Sequence, residues 1–209
     1  MNRSVIVAVA SSAGDLEAIS ELLSGLPAPS GAAFIIVQHL DPARRGELLG
    51  EALAKRTNLP VVIAHDGVVP EPGHVYVTRA NVTLTVINGR IRVSPGASGL
   101  HRSGDTLFTS LAEDLNASAI GVVLSGGGSD GALGIRAIKQ VGGTTFAQYP
   151  GSARFPSMPI SAIETGCVGS VLRPNEIARE LSRLSRLSLN TGPESITRRV
   201  PFISVPVTP

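Results

Sequence analysis

The sequence predicts an α/β fold: a three-layer, mostly parallel, doubly wound sheet with one inserted β-hairpin. Three observations predict it. Short apolar runs rich in β-branched residues alternate with amphipathic stretches of helical period along most of the 209 residues, the pattern of strand and helix units joined by right-handed crossovers. The runs are continuously apolar, as strands covered on both faces require. One segment then switches to period two around an Asn-Gly pair, the residues a tight hairpin turn needs.

In chain order, residues 5–10 read as a buried strand and 16–26 as a helix with Leu16, Ile19, Leu22 and Leu23 on one face. Residues 32–38 form a second strand, 45–56 a helix facing inward through Leu48, Leu49, Ala52 and Leu53, and 61–64 a third strand. Val82, Leu84 and Val86 alternate with polar partners, Asn88-Gly89 makes the turn, and Ile91 and Val93 return. A helix over 105–115, a strand over 119–124, a helix over 131–141 and a strand over 144–147 follow. A strand over 168–172 leads to a helix over 174–187, with Pro174 in the favoured first turn and Ile177, Leu181 and Leu184 as its buried stripe. Periodicity stops there, and four of the fifteen prolines lie in residues 190–209. The expected division is a catalytic body over 1–189 and a flexible tail or linker over 190–209.

Composition narrows the function. A 43% hydrophobic, 16% charged chain is a folded globule, not a disordered one. With 3% aromatics and no Trp, it lacks the stacking surface of a single-strand nucleic-acid binder. Residues 173–209 carry six Arg against three acids, so the rest of the chain has a formal charge of −1, and no general polyanion surface is expected. No nucleic-acid partner is therefore expected. The apolar runs fall far short of the roughly 20 residues that span a bilayer, so no membrane insertion is expected. A single cysteine, Cys167, forms no internal disulfide, and no metal-ligand run or cofactor motif is present. A cytoplasmic location fits this cysteine usage.

Ligands of parallel α/β sheets gather beyond the carboxyl ends of the strands. Ser11-Ser12-Ala13-Gly14-Asp15 follows the first strand, Gln38-His39 ends the second, and Ser125-Gly126-Gly127-Gly128-Ser129-Asp130-Gly131 follows the 119–124 strand. A serine, a histidine and an aspartate thus reach one edge. A serine hydroxyl becomes nucleophilic when a histidine removes its proton and a carboxylate orients the imidazolium. The glycines allow close backbone approach to a developing oxyanion. The same residues also fit plain structural roles: a Ser-rich turn as a helix cap, His39 as a strand-end residue, Asp130 as the N-cap of the helix behind it. Residue types alone do not choose. A nucleotide-binding domain is disfavoured, because neither 10–15 nor 126–131 matches a P-loop or a dinucleotide fingerprint.

The segments Ala10-Ser11-Ser12-Ala13-Gly14-Asp15-Leu16-Glu17-Ala18, Val37-Gln38-His39-Leu40-Asp41-Pro42, Ser125 to Ala132, Gly142 to Gln148 and Ser157-Met158-Pro159 together resemble the chemotaxis receptor methylesterase (CheB) family. They most resemble the methylesterase domains of methylesterase-methyltransferase fusions. The resemblance covers roughly residues 4–187. It implies a serine-triad hydrolase that removes methyl esters from glutamate side chains of chemoreceptor-type proteins, with glutamine deamidation as a companion activity. By motif, Ser12 is the nucleophile, His39 the base and Asp130 the orienting acid. Ser11 is the neighbour to exclude, since Leu16-Glu17-Ala18 sets the register. Ala13, Gly14, Gly127 and Gly128 fall in the oxyanion and substrate loops.

The chain departs from the family pattern at Ala10 and at Asp15, where glycines are usual, and at Gly127, where methionine is common. Asp15 in the first helical turn favours the helix, but a carboxylate beside an oxyanion opposes catalysis. The alternative reading is therefore a catalytically weakened methylesterase fold acting as a signalling or receptor-binding module. No receiver domain is expected ahead of the first strand, so control is expected from a methyltransferase or receiver-domain partner. His65, His74 and His101 read as loop residues, Cys167 as a buried inert thiol, Arg44, Arg45 and Arg102 as a solvated face, and Ser110 as a helix residue without function.

Overall fold

The computed structural model describes residues 5–12, 16–39, 47–96 and 102–190. Nine strands and six α-helices alternate along these residues: β1 (Val5–Ser12), α1 (Leu16–Ser24), β2 (Ala32–His39), α2 (Glu47–Ala54), β3 (Val61–Ile63), β4 (Val75–Val77), β5 (Val82–Ile87), β6 (Arg90–Pro95), α3 (Ser103–Leu115), β7 (Ile120–Val123), α4 (Ala132–Gln140), β8 (Thr144–Gln148), α5 (Ser157–Glu164), β9 (Ser170–Leu172) and α6 (Pro174–Asn190). Seven strands form one parallel sheet in the order β3-β4-β2-β1-β7-β8-β9, and β5 and β6 pair antiparallel as a separate hairpin. The expected three-layer α/β architecture with an inserted hairpin is what folds.

The central strand explains the layers. Residues Ile6 to Ala10 of β1 are all at least 97% buried, and their alternate side chains enter two different cores. Ile6, Ala8 and Ala10 pack with Leu107, Phe108 and Leu111 of α3, Ile135 and Ile138 of α4, Met158 of α5 and the hairpin residues Leu84, Val86 and Ile91. Val7 and Val9 pack on the other face with Ile19, Leu22 and Leu23 of α1, Leu53 of α2 and Ile177 and Leu181 of α6. Each core is mostly aliphatic, with Phe108 and Tyr76 in the first and Phe34 and Phe146 in the second.

Two short elements escape the sequence pattern. Residues 75–77 form β4 between β2 and β3, each residue buried, yet three residues are too few to show a period. Residues 157–164 form α5, which buries only Met158, Pro159 and Ala162. The hairpin turn is as expected: Asn88 and Gly89 have φ of 54° and 70°, the left-handed pair of a type I′ turn. Ser110, expected to be idle, instead ties the hairpin to α3. Its hydroxyl accepts from the Val86 N–H at 3.0 Å and donates to the Leu107 carbonyl at 2.9 Å.

The chain leaves β1 on one side to build β2, then crosses back to add β7 on the other. The point where strand order reverses therefore lies between β1 and β7. In open α/β sheets the crevice at that point is where ligands bind.

Candidate active site

Strand β1 runs two residues further than its apolar run suggests, so Ser11 and Ser12 belong to the strand and not to the turn. This decides which serine faces where. Ser12 continues the series Ile6, Ala8 and Ala10, on the side of α3 and α4, while Ser11 continues Val7 and Val9 on the opposite side. The Ser11 side chain is 3% exposed and its hydroxyl donates to the Ser125 carbonyl at 2.9 Å. Ser12 is half-buried. Its N–H donates to the same Ser125 carbonyl at 3.2 Å, and its own carbonyl accepts from Gln38 Nε2 at 2.9 Å.

His39 is the last residue of β2, and its backbone is paired with Ser12 in the final step of the β1–β2 ladder. Neighbouring strands lie about 4.8 Å apart. The His39 side chain, together with Ala13, Gly14 and Asp15, lies outside the described residues, as do Arg44, Arg45 and His101.

Asp130 is half-buried and does not cap the helix behind it. The N-cap of α4 is Gly131, in a left-handed conformation at φ 90°. Asp130 instead caps α3, a helix earlier in the chain: Oδ2 accepts from the Gly104 N–H at 2.9 Å, Oδ1 from the Asp105 N–H at 2.9 Å, and Ser103 Oγ stands at 3.5 Å. The α3 N-terminus supplies donors because its own N-cap, Arg102, makes no side-chain cap. A Cβ placed on Gly104 would lie 2.8 Å from Ala10 Cβ and 3.1 Å from Asp130 Oδ1. Glycine there lets the helix end, the carboxyl group and the Ser12 face of β1 meet.

The 125–128 loop closes over this edge. Ser125 is fully buried; its N–H donates to Gln148 Oε1 at 2.8 Å, and its hydroxyl accepts from the Phe155 N–H at 2.9 Å. The Gly126 N–H is held by the Phe155 carbonyl at 2.8 Å, and the Gly126 carbonyl accepts from the Met158 N–H at 2.9 Å. A Cβ on Gly126 would fall 2.8 Å from Ser12 Cβ and collide with Met158 Sδ. Gly126 therefore belongs to the frame and is not an oxyanion donor. Gly127 and Gly128 are exposed, and their N–H groups make no hydrogen bond among the described residues.

Residues that sequence reasoning passed over complete the frame. Gln38, Gln148 and Ser125 position the Ser12 backbone, and only their place at strand ends hinted at it. Asp105, read as the first residue of a helix, is 7% exposed; its Oδ1 accepts from the Gly134 N–H at 2.9 Å, and Arg102 Nη1 stands 3.6 Å from its Oδ2. Burial pushes the Asp105 carboxyl above its ordinary range, and the nearby Asp130 charge adds to this, against the pull of the Gly134 N–H and Arg102. The remaining polar residues keep the plain roles expected of them. His65 Nδ1 lies 3.1 Å from Arg79 Nη2 on the surface, and His74 Nδ1 lies 3.2 Å from the Pro72 carbonyl. Cys167 is a free thiol, half-buried rather than buried. Among the described residues, no cluster of three His, Cys, Asp or Glu is placed to hold a metal ion, and no helix is long and apolar enough to cross a membrane.

Comparison with known proteins converges on one family. Residues 7–181 match the family model described as CheB methylesterase. The chain is 35% identical over 191 residues to protein-glutamate methylesterase/protein-glutamine glutaminase 1 of Burkholderia lata, covering 87% of this chain and 55% of that protein. It is 35% identical over 198 residues to the protein of the same name from the group 3 operon of Rhizobium meliloti, covering 92% of this chain and 54% of that protein. The chain thus spans about half the length of the curated relatives it matches. Among solved structures, the Thermotoga maritima CheB methylesterase catalytic domain superposes with a TM-score of 0.77 at 30% identity, covering 86% of this chain and 97% of that one.

Proposed function

Because the chain belongs to the CheB methylesterase family, we propose that it is a serine hydrolase that removes methyl esters from glutamate side chains of chemoreceptor-type proteins. Ser12 is the nucleophile, His39 the base and Asp130 the orienting acid. The observation that carries this reading is the pairing of Ser12 with His39 at the end of the β1–β2 ladder, beside the crevice where strand order reverses. Ser12 is on the face that carries Asp130, and Ser11 is not.

The chemistry follows from these positions. Ser12 Oγ attacks the γ-ester carbonyl as His39 takes its proton, the tetrahedral intermediate expels methanol using that proton, and water then cleaves the acyl-enzyme by the same steps. Negative charge develops on the carbonyl oxygen, and Gly127 and Gly128, whose N–H groups are not held by the frame, serve it together with Ala13 and Gly14. Two helix-terminal N–H groups bond the two Asp130 carboxyl oxygens and fix their orientation, which suits a group that must hold an imidazolium. The glutaminase in the relatives' names uses the same steps on a side-chain amide, with ammonia leaving. No cofactor enters. The reading assigns the catalytic body to residues 1–189, puts the work in the cytoplasm and adds a methyltransferase or receiver-domain protein as a partner; residues 191–209, read from the sequence as a tail, lie outside the described residues.

The test is methanol release from a methylated chemoreceptor cytoplasmic fragment. Ser12→Ala should lower kcat by about 10^4 or more, and Ser11→Ala should leave turnover within a few-fold. Equal activity in wild type and Ser12→Ala rejects the assignment. Receptor binding without turnover in the wild type would establish the weakened-module reading instead.

A further inference from the structure

The N-termini of α3 and α4 face each other, and neither helix carries its own side-chain cap. Each takes a carboxylate from the other: Asp130, just before α4, accepts the Gly104 and Asp105 N–H groups of α3, and Asp105, in the first turn of α3, accepts the Gly134 N–H of α4. The first N–H groups of two helices point into one space, and the two side chains between them supply the acceptor oxygens that these groups lack. Asp105 takes part in both exchanges, its backbone donating to Asp130 while its side chain fastens the helix behind Asp130.

We infer that Asp105 is a positioning residue that sets the orientation of the Asp130 carboxylate by locking α3 to α4. This rests on the reading of Asp130 as the orienting acid. The Asp130 oxygens follow the α3 terminus, because both are bonded to it. The α3 terminus in turn follows α4 through the buried Asp105–Gly134 bond. Asp105 Oδ2 is buried without a hydrogen-bond partner and has only the Arg102 guanidinium, 3.6 Å away, so the Gly134 bond made by Oδ1 is the contact that fixes this carboxyl group against α4. An acceptor reaching Gly134 is what the position demands, since ordinary capping of α3 is already done by Asp130. The requirement is therefore geometric. Asparagine retains an oxygen that can accept from Gly134, whereas glutamate carries its carboxylate one methylene too far.

The experiment measures methanol release from a methylated chemoreceptor cytoplasmic fragment by the full chain. Asp105→Ala and Asp105→Glu should each lower kcat about 10- to 100-fold with KM nearly unchanged, and Asp105→Asn should stay within about threefold. In an Asp130→Ala background the Asp105→Glu loss should shrink to less than about threefold, because there is no carboxylate left to misplace. An Asn variant as impaired as Glu, or a Glu loss that persists undiminished in the Asp130→Ala background, overturns the inference. Should Asp105→Ala fail to fold, the Asn and Glu pair carries the test alone. If Asp130→Ala itself leaves kcat unchanged, the triad reading fails; if it abolishes turnover while Asp105→Glu does not lower it, only the positioning role fails.

Discussion

The hydroxyl of Ser11 donates to the carbonyl oxygen of Ser125 at 2.9 Å across the seam between β1 and β7. One hydroxyl of the serine pair is thereby committed to holding the two central strands together, and the other is left on the opposite face. Ser11→Ala should lower stability by about 0.5–1.5 kcal/mol, the net worth of a typical hydrogen bond, since Ser125 O keeps the Ser12 N–H. Urea denaturation reads this. A Ser11→Ala chain that matches wild type in stability but loses turnover would reverse the roles of the two serines.

The three consecutive glycines should respond differently to alanine. At Gly126 a Cβ meets Ser12 Cβ and Met158 Sδ, so Gly126→Ala should cost about 1–3 kcal/mol through overpacking and displace Ser12. At Gly128 the space is open but φ is +84°, a left-handed conformation that costs a side chain about 1–2 kcal/mol. Gly127 has neither constraint, and Gly127→Ala should stay within about 0.5 kcal/mol. The order of midpoints in urea checks this, and a Gly127→Ala loss equal to that of Gly126→Ala contradicts it.

Ser110 and Asp114 join α3 to the hairpin in unequal surroundings. The Val86 N–H points at Ser110 Oγ between elements whose residues Leu84, Val86 and Ile91 are fully buried. Asp114 accepts the Asn88 and Gly89 N–H groups nearer the surface. Ser110→Ala strands a buried donor and should cost about 1–3 kcal/mol; Asp114→Ala leaves donors that water can reach and should cost less. Amide hydrogen exchange at Val86 should accelerate in the first variant. No change in exchange would mean that the side-chain bond does not hold the hairpin.

Much of the architecture was legible because continuous β-branched runs and helical stripes are local properties. The Asn88-Gly89 turn was legible for the same reason. The three-residue β4 was not, since its burial comes from β2 and β3 on either side and not from its own pattern. At the site, residue types put a serine, a histidine and an aspartate at one edge, and the family resemblance, by motif, singled out Ser12, His39 and Asp130. What stayed hidden was relational: Asp130 looked like the cap of the helix behind it and caps one 27 positions earlier in the chain. Asp105 looked like any acid in a first turn, because its partner, Gly134, lies across a strand and a loop.

Asp105 also predicts a pH dependence with a definite sign. Burial, the largest influence, raises its carboxyl above the ordinary value of 3.8, with the Asp130 charge acting in the same direction and Gly134 and Arg102 opposing. Between the unfolded and folded pKa values the native state holds more protons, so stability falls as pH rises through that window. The contribution is fully present below the ordinary value and is lost as the pH passes the raised one. Asp105→Asn removes the titration while keeping an acceptor for Gly134. The stability difference, wild type minus Asp105→Asn, should therefore decline as the pH rises above the ordinary value of 3.8 and level off once the pH has passed the raised one, measured by urea midpoints. A difference that grows with pH would mean that the Gly134 N–H and Arg102 outweigh burial, and that the ionised carboxylate is the better-held form.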